Sequence, residues 1–130
     1  MVRHIVMFKL TAFETPADKL AKMQEIKEKL EALQDKIEVL QSIRVDFNIN
    51  PAETWDIILT TELASLEDVN TYATHPEHVA VAKQVIGPVK ADRACVDYAF
   101  WTDWRMETFD LEARVQQAVD LFNSGHNCAQ

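Results

Sequence analysis

Val2-Arg3-His4-Ile5-Val6-Met7-Phe8-Lys9-Leu10 opens the chain, and its reading decides how everything after it must be arranged. Successive side chains of a strand point to opposite faces of the sheet. Here Val2, His4, Val6, Phe8 and Leu10 share one face, while Arg3, Ile5, Met7 and Lys9 share the other. Both faces carry large apolar side chains, so this strand belongs to a sheet covered on both sides. Helices suit one side, and something else must cover the other.

Working outward, Thr15-Pro16-Ala17-Asp18 reads as a helix start, with a capping hydroxyl, proline in the first turn and an acid at the third position. Leu20, Met23, Ile26, Leu30, Leu33 and Ile37 then recur at three and four residues, with Lys19, Lys22, Glu25, Lys29 and Glu31 between them. Ser42 to Ile49 alternates again, Asn48-Ile49-Asn50-Pro51 supplies turn chemistry, and Trp55 to Leu63 reads as the next strand. Ser65-Leu66-Glu67-Asp68 opens a second helix that carries Leu66, Val69 and Tyr72 to a His-Pro bend. A short helical piece from His78 to Val85 ends at Gly87-Pro88, and Cys95 to Trp101 reads as the last strand. Strand, helix, strand, strand, helix, strand is the ferredoxin-like βαββαβ order of an α+β fold, with both helices on one face of an antiparallel sheet. The other face, with Ile5, Met7 and Ile58, would stand bare. A second copy packed sheet to sheet covers it, which predicts a homodimer.

Composition sets outer limits. At 130 residues, 48% of them hydrophobic, the chain is one domain with a short appendage. A net charge of −8, with the basic residues interleaved among acids, argues against nucleic acid and against an anionic membrane as partners. No apolar run approaches the ~20 residues of a membrane span, and the alternating N-terminus is unlike a signal peptide. The expected location is cytoplasmic, with Cys95 and Cys128 as reduced thiols.

The stretch richest in chemistry is Tyr72-Ala73-Thr74-His75-Pro76-Glu77-His78, which sets two of the four histidines across a proline. Proline disfavours a helical residue before it, so the chain should bend at His75 and restart near Glu77. The plain alternative is that these histidines only satisfy helix ends. His75, His78, Glu77 and His4 could also be combined into a metal set, but no Cys-x-x-Cys or His-Glu-x-x-His pattern supports one, and neither metal nor cofactor is expected.

Three stretches together carry a family resemblance: Val2 to Lys9, Tyr72 to Val79, and Val96-Asp97-Tyr98. In that order and spacing they resemble the stress-responsive dimeric α/β-barrel domain, Dabb, over about the first hundred residues. The resemblance implies a ferredoxin-like protomer whose sheet packs on its twin to close a barrel. Some plant members resemble polyketide cyclases, in which a histidine on the first strand, a tyrosine on the second helix and the second histidine of the bend reach a pocket between sheet and helices. The matching positions are His4, Tyr72 and His78, with His78 as the base and Tyr72 and His4 as donors or orienters next to a carbonyl. His75, Val6, Phe8, Met23 and Leu59 would complete a binding site for a small, largely apolar ligand. The cyclases also carry a tyrosine on the first helix, where this chain has Met23 and Ile26, so a polyketide substrate is not implied. The same framework could equally pin the bend without catalysis.

These features assign residues 1–104 to the barrel domain and 105–130 to a C-terminal helix. Leu111, Val115, Ala118 and Phe122 share one face of that helix, which starts near Thr108 and stops at Ser124-Gly125. Leu121 to Gln130 resembles the opening of a redox-protein family defined by a Cys-Gly-Cys-Ala-x-x-Gly-Cys-Cys pattern. That resemblance implies a cysteine-rich domain cut short here, for which the barrel would act as sensor or dimerisation module.

Overall fold

The structure, a computed structural model, describes residues 1–100 and 111–123. The elements run β1 (Val2–Leu10), α1 (Pro16–Glu31), β2 (Ser42–Phe47), β3 (Ile57–Leu63), α2 (Leu66–Thr74), α3 (Pro76–Val81), β4 (Lys90–Ala99) and α4 (Leu111–Asn123). The order expected from the sequence holds. The four strands form one antiparallel sheet in the order β2-β3-β1-β4, so β1 is central and pairs on both sides.

The caps form as their chemistry predicts. Thr15 Oγ1 accepts from the Asp18 amide at 3.1 Å to start α1, and Ser65 Oγ accepts from the Asp68 amide at 3.1 Å to start α2. One face of the sheet then receives the apolar stripe of α1 and the inner side of α2. Val6, Phe8, Leu10, Ile26, Leu30, Val45, Leu59, Val69 and Tyr72 join a single core there. Val2, His4, Val6, Phe8 and Leu10 do share a face, and their ladder partners Leu59, Thr61 and Leu63 are all buried with them.

Several boundaries differ from the sequence reading. The α1 stripe is carried past Glu31 by a 3₁₀ turn, Ala32–Asp35, so Leu33 and Ile37 are buried by a tighter backbone than a continuous helix. Leu20, read as part of that stripe, is 54% exposed. β2 stops at Phe47 because Asn48 turns the chain, its side-chain oxygen accepting from the Asn50 amide at 2.8 Å, and Ile49 is left outside the sheet. β4 begins at Lys90, five positions before the expected Cys95, since its pairing with β1 continues through exposed Asp92, which hydropathy does not reveal. The expected end of that strand at Trp101, and the expected bounds of the C-terminal helix at Thr108 and Ser124-Gly125, lie outside the described residues.

The opposite face of the sheet bears Ile5, Met7, Ile58, Ala94 and Val96 at its centre, with Val96 54% exposed. At one end Arg3 donates to Tyr98 Oη (2.8 Å) and Glu62 Oε2 (3.1 Å) and lies 4.0 Å over the Phe100 ring. At the hairpin end a hollow of about 280 Å³ is lined by residues including Met7, Phe47, Trp55 and Ile58. The β2 edge is different again. Its outward Val45 amide donates to Glu31 Oε2 at 2.9 Å and its carbonyl accepts from Lys27 Nζ at 2.7 Å, both from α1.

The contrast between two positions on α1 tests this packing. Ile26 is completely buried, so Ile26→Ala should cost about 2–5 kcal/mol, whereas Leu20→Ala should stay within about 0.5 kcal/mol. Urea unfolding of the two variants measures both, and equal losses would contradict the placement of Leu20 outside the core.

Candidate functional site

The bend is built by its two histidines, each in a different way. His75 adopts φ −64, ψ 134, the extended geometry that a following proline favours. From there its Nδ1 accepts from the Glu77 amide at 3.1 Å and caps α3. Pro76 begins the new helix, one residue before the expected restart. The first turn of α3 brings His78 back against the end of α2, where its Nδ1–H donates to the Ala73 carbonyl at 2.9 Å. His78 is buried while His75 is only half-buried and occupied with the cap. The structure therefore separates the two imidazoles that the sequence sets side by side.

His78 meets Tyr72 instead. Their ring centroids are 4.5 Å apart, and Tyr72 lies edge-on to His4 at 6.0 Å. His4, Tyr72 and His78 thus converge, as the family resemblance implied. The rings rest against the core to which Val6, Phe8, Met23 and Leu59 contribute. Where the plant cyclases place a further tyrosine, Met23 and Ile26 are buried and apolar.

The antiparallel register adds residues that the sequence reading did not assign to the site. β1 and β4 pair His4 with Asp97, Val6 with Cys95 and Phe8 with Arg93, so all three β4 side chains share the inward face. His4 Nδ1–H donates to Asp97 Oδ1 at 2.5 Å, which orients the ring and commits that nitrogen. The signal was present as the alternation Arg93, Cys95, Asp97. It was illegible without the strand's true start and its register.

Residues 2–100 match the Stress responsive A/B Barrel Domain, Dabb. The chain belongs to that family. A dimeric protein of unknown function with a ferredoxin-like fold from Bacteroides fragilis NCTC 9343 is 50% identical to this Dabb chain. It superposes with a TM-score of 0.71, covering 76% of this chain and 95% of that one. A dimeric ferredoxin-like protein of unknown function from Thermobifida fusca is 25% identical, with a TM-score of 0.64 over 76% of this chain and 90% of that one. The hydroxynitrile lyase of Passiflora edulis shares the fold at 16% identity and a TM-score of 0.63, over 79% of this chain and 95% of that one. No curated protein matches the chain. Among the described residues, no helix of this Dabb protein is long and apolar enough to cross a membrane.

Electrostatics separate the site's groups. Burial pulls the His78 pKa down from 6.5 to about 4, against the opposing bond to the Ala73 carbonyl. Its ring is neutral at pH 7, with Nδ1–H committed and Nε2 an acceptor. Burial also pushes the Tyr72 phenol well above its ordinary range, so it stays protonated. The Tyr72 hydroxyl is buried and has no hydrogen-bond partner among the described residues, a state that costs about 1–3 kcal/mol.

The metal alternatives change as well. His75 and His78 each commit a ring nitrogen to the bend, and the described residues instead bring His4, Cys95 and Asp97 within 4.8 Å of one another. Cys95 lies 3.6 Å from His4 Nδ1, but it is disulfide-bonded. The expectation of a reduced thiol at Cys95 is corrected accordingly. Without a thiolate, and with His4 Nδ1 already bonded to Asp97, this set is a poor match for zinc.

The depressed His78 pKa makes a prediction about acid stability. Unfolded, His78 binds a proton near 6.5; folded, only near 4. In that window the unfolded chain holds more protons, so stability is full above it and falls as pH drops, by up to about 1.4 kcal/mol per unit. Replacing the ring in His78→Gln should flatten this component. Urea midpoints measured across the window would show it, and an equally steep decline in the variant would remove His78 as the cause.

Proposed function

We propose that the protein is a homodimer that binds a small, largely apolar ligand between its sheet and helices, with Tyr72, His4 and His78 supplying the polar contacts. The observation that carries this reading is the Tyr72 hydroxyl. It is buried beside two imidazoles and has no hydrogen-bond partner among the described residues, and a ligand oxygen would offset the cost of leaving it unpaired. The apolar centre of the other sheet face supports the dimer, since such a patch is unfavourable in water and a twofold partner presents the same patch. The 50% identical Bacteroides fragilis protein is described as dimeric, which supports it further.

Native mass spectrometry of the wild type and of Tyr72→Phe tests the proposal directly. The wild type should appear as a dimer carrying added small-molecule mass, and Tyr72→Phe as a dimer with that mass diminished. The variant should also resist urea better by about 1 kcal/mol, because the unpaired hydroxyl is gone. A monomer would sink the assembly, a bare wild-type dimer would count against the ligand, and undiminished mass in the variant would remove the hydroxyl from the site.

A second reading, proton transfer next to a carbonyl as in a lyase or cyclase, is favoured by the Asp97-His4 pair. A carboxylate on Nδ1 orients an imidazole and stabilises the cation formed when Nε2 accepts a proton. The base in this reading is His4 rather than His78, because burial makes His78 a weak base. Tyr72 would donate to the developing enolate, with His78 positioning the ligand. Deuterium exchange at the methyl group of acetophenone should be accelerated by the wild type and return to background in His4→Gln, while His78→Gln retains part of the acceleration. Background exchange with the wild type would exclude this chemistry for simple ketones.

A further inference from the structure

The three rings of the site are enclosed: Tyr72 is 1%, His4 4% and His78 7% exposed. A ligand reaches them only if part of their cover moves. Among the described residues that cover is α1, α2 and residues 76–89, and the last is the least regular. α3 lasts six residues, after which the backbone passes through a π-turn at Ala82–Ile86 and a 3₁₀ turn at Gly87–Val89 before β4 begins. Both ends of this strap are fastened. The His75 ring caps one end, and at the other the Thr11 amide donates to the Val89 carbonyl at 2.8 Å. A π-turn between fastened ends is a rare arrangement, and such turns are frequent at functional sites.

The π-turn decides which side chains face the core. His78, Ala82 and Ile86 follow one another at four-residue spacing, and all three are buried. In a regular α-helix each such step drifts by about 40°, which would leave Ile86 about 80° round from His78. In the wider turn the Gly87 amide donates to the Ala82 carbonyl, five residues back. This turn advances less per residue and returns Ile86 to the side of His78. There Ile86 joins the core that contains Tyr72. Gly87 suits the closure for two reasons. A Cβ added to it would stand 3.2 Å from the Ala82 oxygen that its own amide bonds. It also holds a helical φ −50, ψ −44 directly before Pro88, where a Cβ would meet the proline ring.

We propose that this π-turn is the entrance of the ligand site, opening when the Gly87 amide passes from the Ala82 carbonyl to that of Lys83 and Ile86 turns out of the core beside His78. The inference rests on the ligand-binding reading above and adds the route by which a ligand enters. The amides change partners rather than lose them, so opening costs chiefly the burial of Ile86. The element therefore has two discrete hydrogen-bond registers, one closed and one open. A ligand seated beside Tyr72 and His78 holds the open register by occupying the space Ile86 leaves.

The test needs no ligand. Hydrogen exchange of the full chain, read by mass spectrometry, should show amides of residues 82–89 protected at least about tenfold less than those of residues 26–30 in α1. Diethyl pyrocarbonate, which modifies free imidazole nitrogens, then reports opening at His78, with His75 as the internal standard. In Gly87→Ala the Cβ presses on the Ala82 carbonyl, and His78 labelling should rise about threefold to tenfold, the effect of weakening one hydrogen bond. Deleting the exposed Gln84 removes the extra residue and leaves a regular α-helix with the isoleucine seven positions after His78, within about 20° of its face. His78 labelling should then fall about tenfold or more, because the second register is gone. Circular dichroism melts verify that both variants fold. Exchange at residues 82–89 as slow as in α1, or His78 labelling unchanged in the folded deletion, would overturn the proposal and leave the ligand site to be entered from another side. If the deletion does not fold, unchanged labelling in Gly87→Ala overturns it instead. A wild-type dimer without added mass in the native mass spectrum, by contrast, removes the ligand and not the movement.

Discussion

A central strand that is apolar on both faces is the constraint on which this structure depends. β1 pairs with β3 on one side and β4 on the other, so it cannot reach solvent through either edge. Its inward residues commit both helices to one face of the sheet. Its outward residues, Ile5 and Met7, leave a second apolar layer with nothing from the described protomer over it. The strand thus determines both the position of the core and the direction from which assembly must come.

That same strand explains why the polar groups gather where they do. His4 is the single polar member of the inward row Val2, His4, Val6, Phe8, Leu10, and it sits directly opposite Asp97 across the ladder. A buried imidazole needs partners for its ring nitrogens, and the ladder provides the first of them. Tyr72 reaches the same place because it follows Val69 by three residues on the buried side of α2, and His78 because the proline bend folds α3 back onto the helix before it. Three unrelated local rules therefore deliver three polar rings to one apolar neighbourhood. Of the three, the phenol is the one left without a hydrogen bond among the described residues.

Much of this was legible from the sequence, and the limits have physical causes. Period-two and period-three-to-four patterns located each strand and helix of the barrel, because burial on one face imposes them. The caps at Thr15 and Ser65 were readable because their chemistry is local. Leu20 was misplaced because a stripe of apolar residues at helical spacing can begin before the helix reaches the sheet. The start of β4 was missed because an edge strand tolerates Asp92 and other exposed polar side chains. Missing it hid Arg93 and detached Asp97 from His4, since both depend on a register that no single segment encodes. His75 and His78 looked equivalent in sequence, and only the proline geometry assigns one to the cap and the other to the interior.

The α1 side chains that occupy the edge of β2 have a consequence for how copies of this protein can accumulate. Strand-by-strand growth into fibres requires two open, complementary margins on every unit. Lys27 and Glu31 satisfy the outward amide and carbonyl of Val45 at the middle of one margin, so an incoming strand would have to displace an ion pair of 2.8 Å before forming its first bonds there. Growth through that edge is thereby obstructed at each unit. The sticky surface that remains is a face, and a face that meets its own copy is used up in a single encounter.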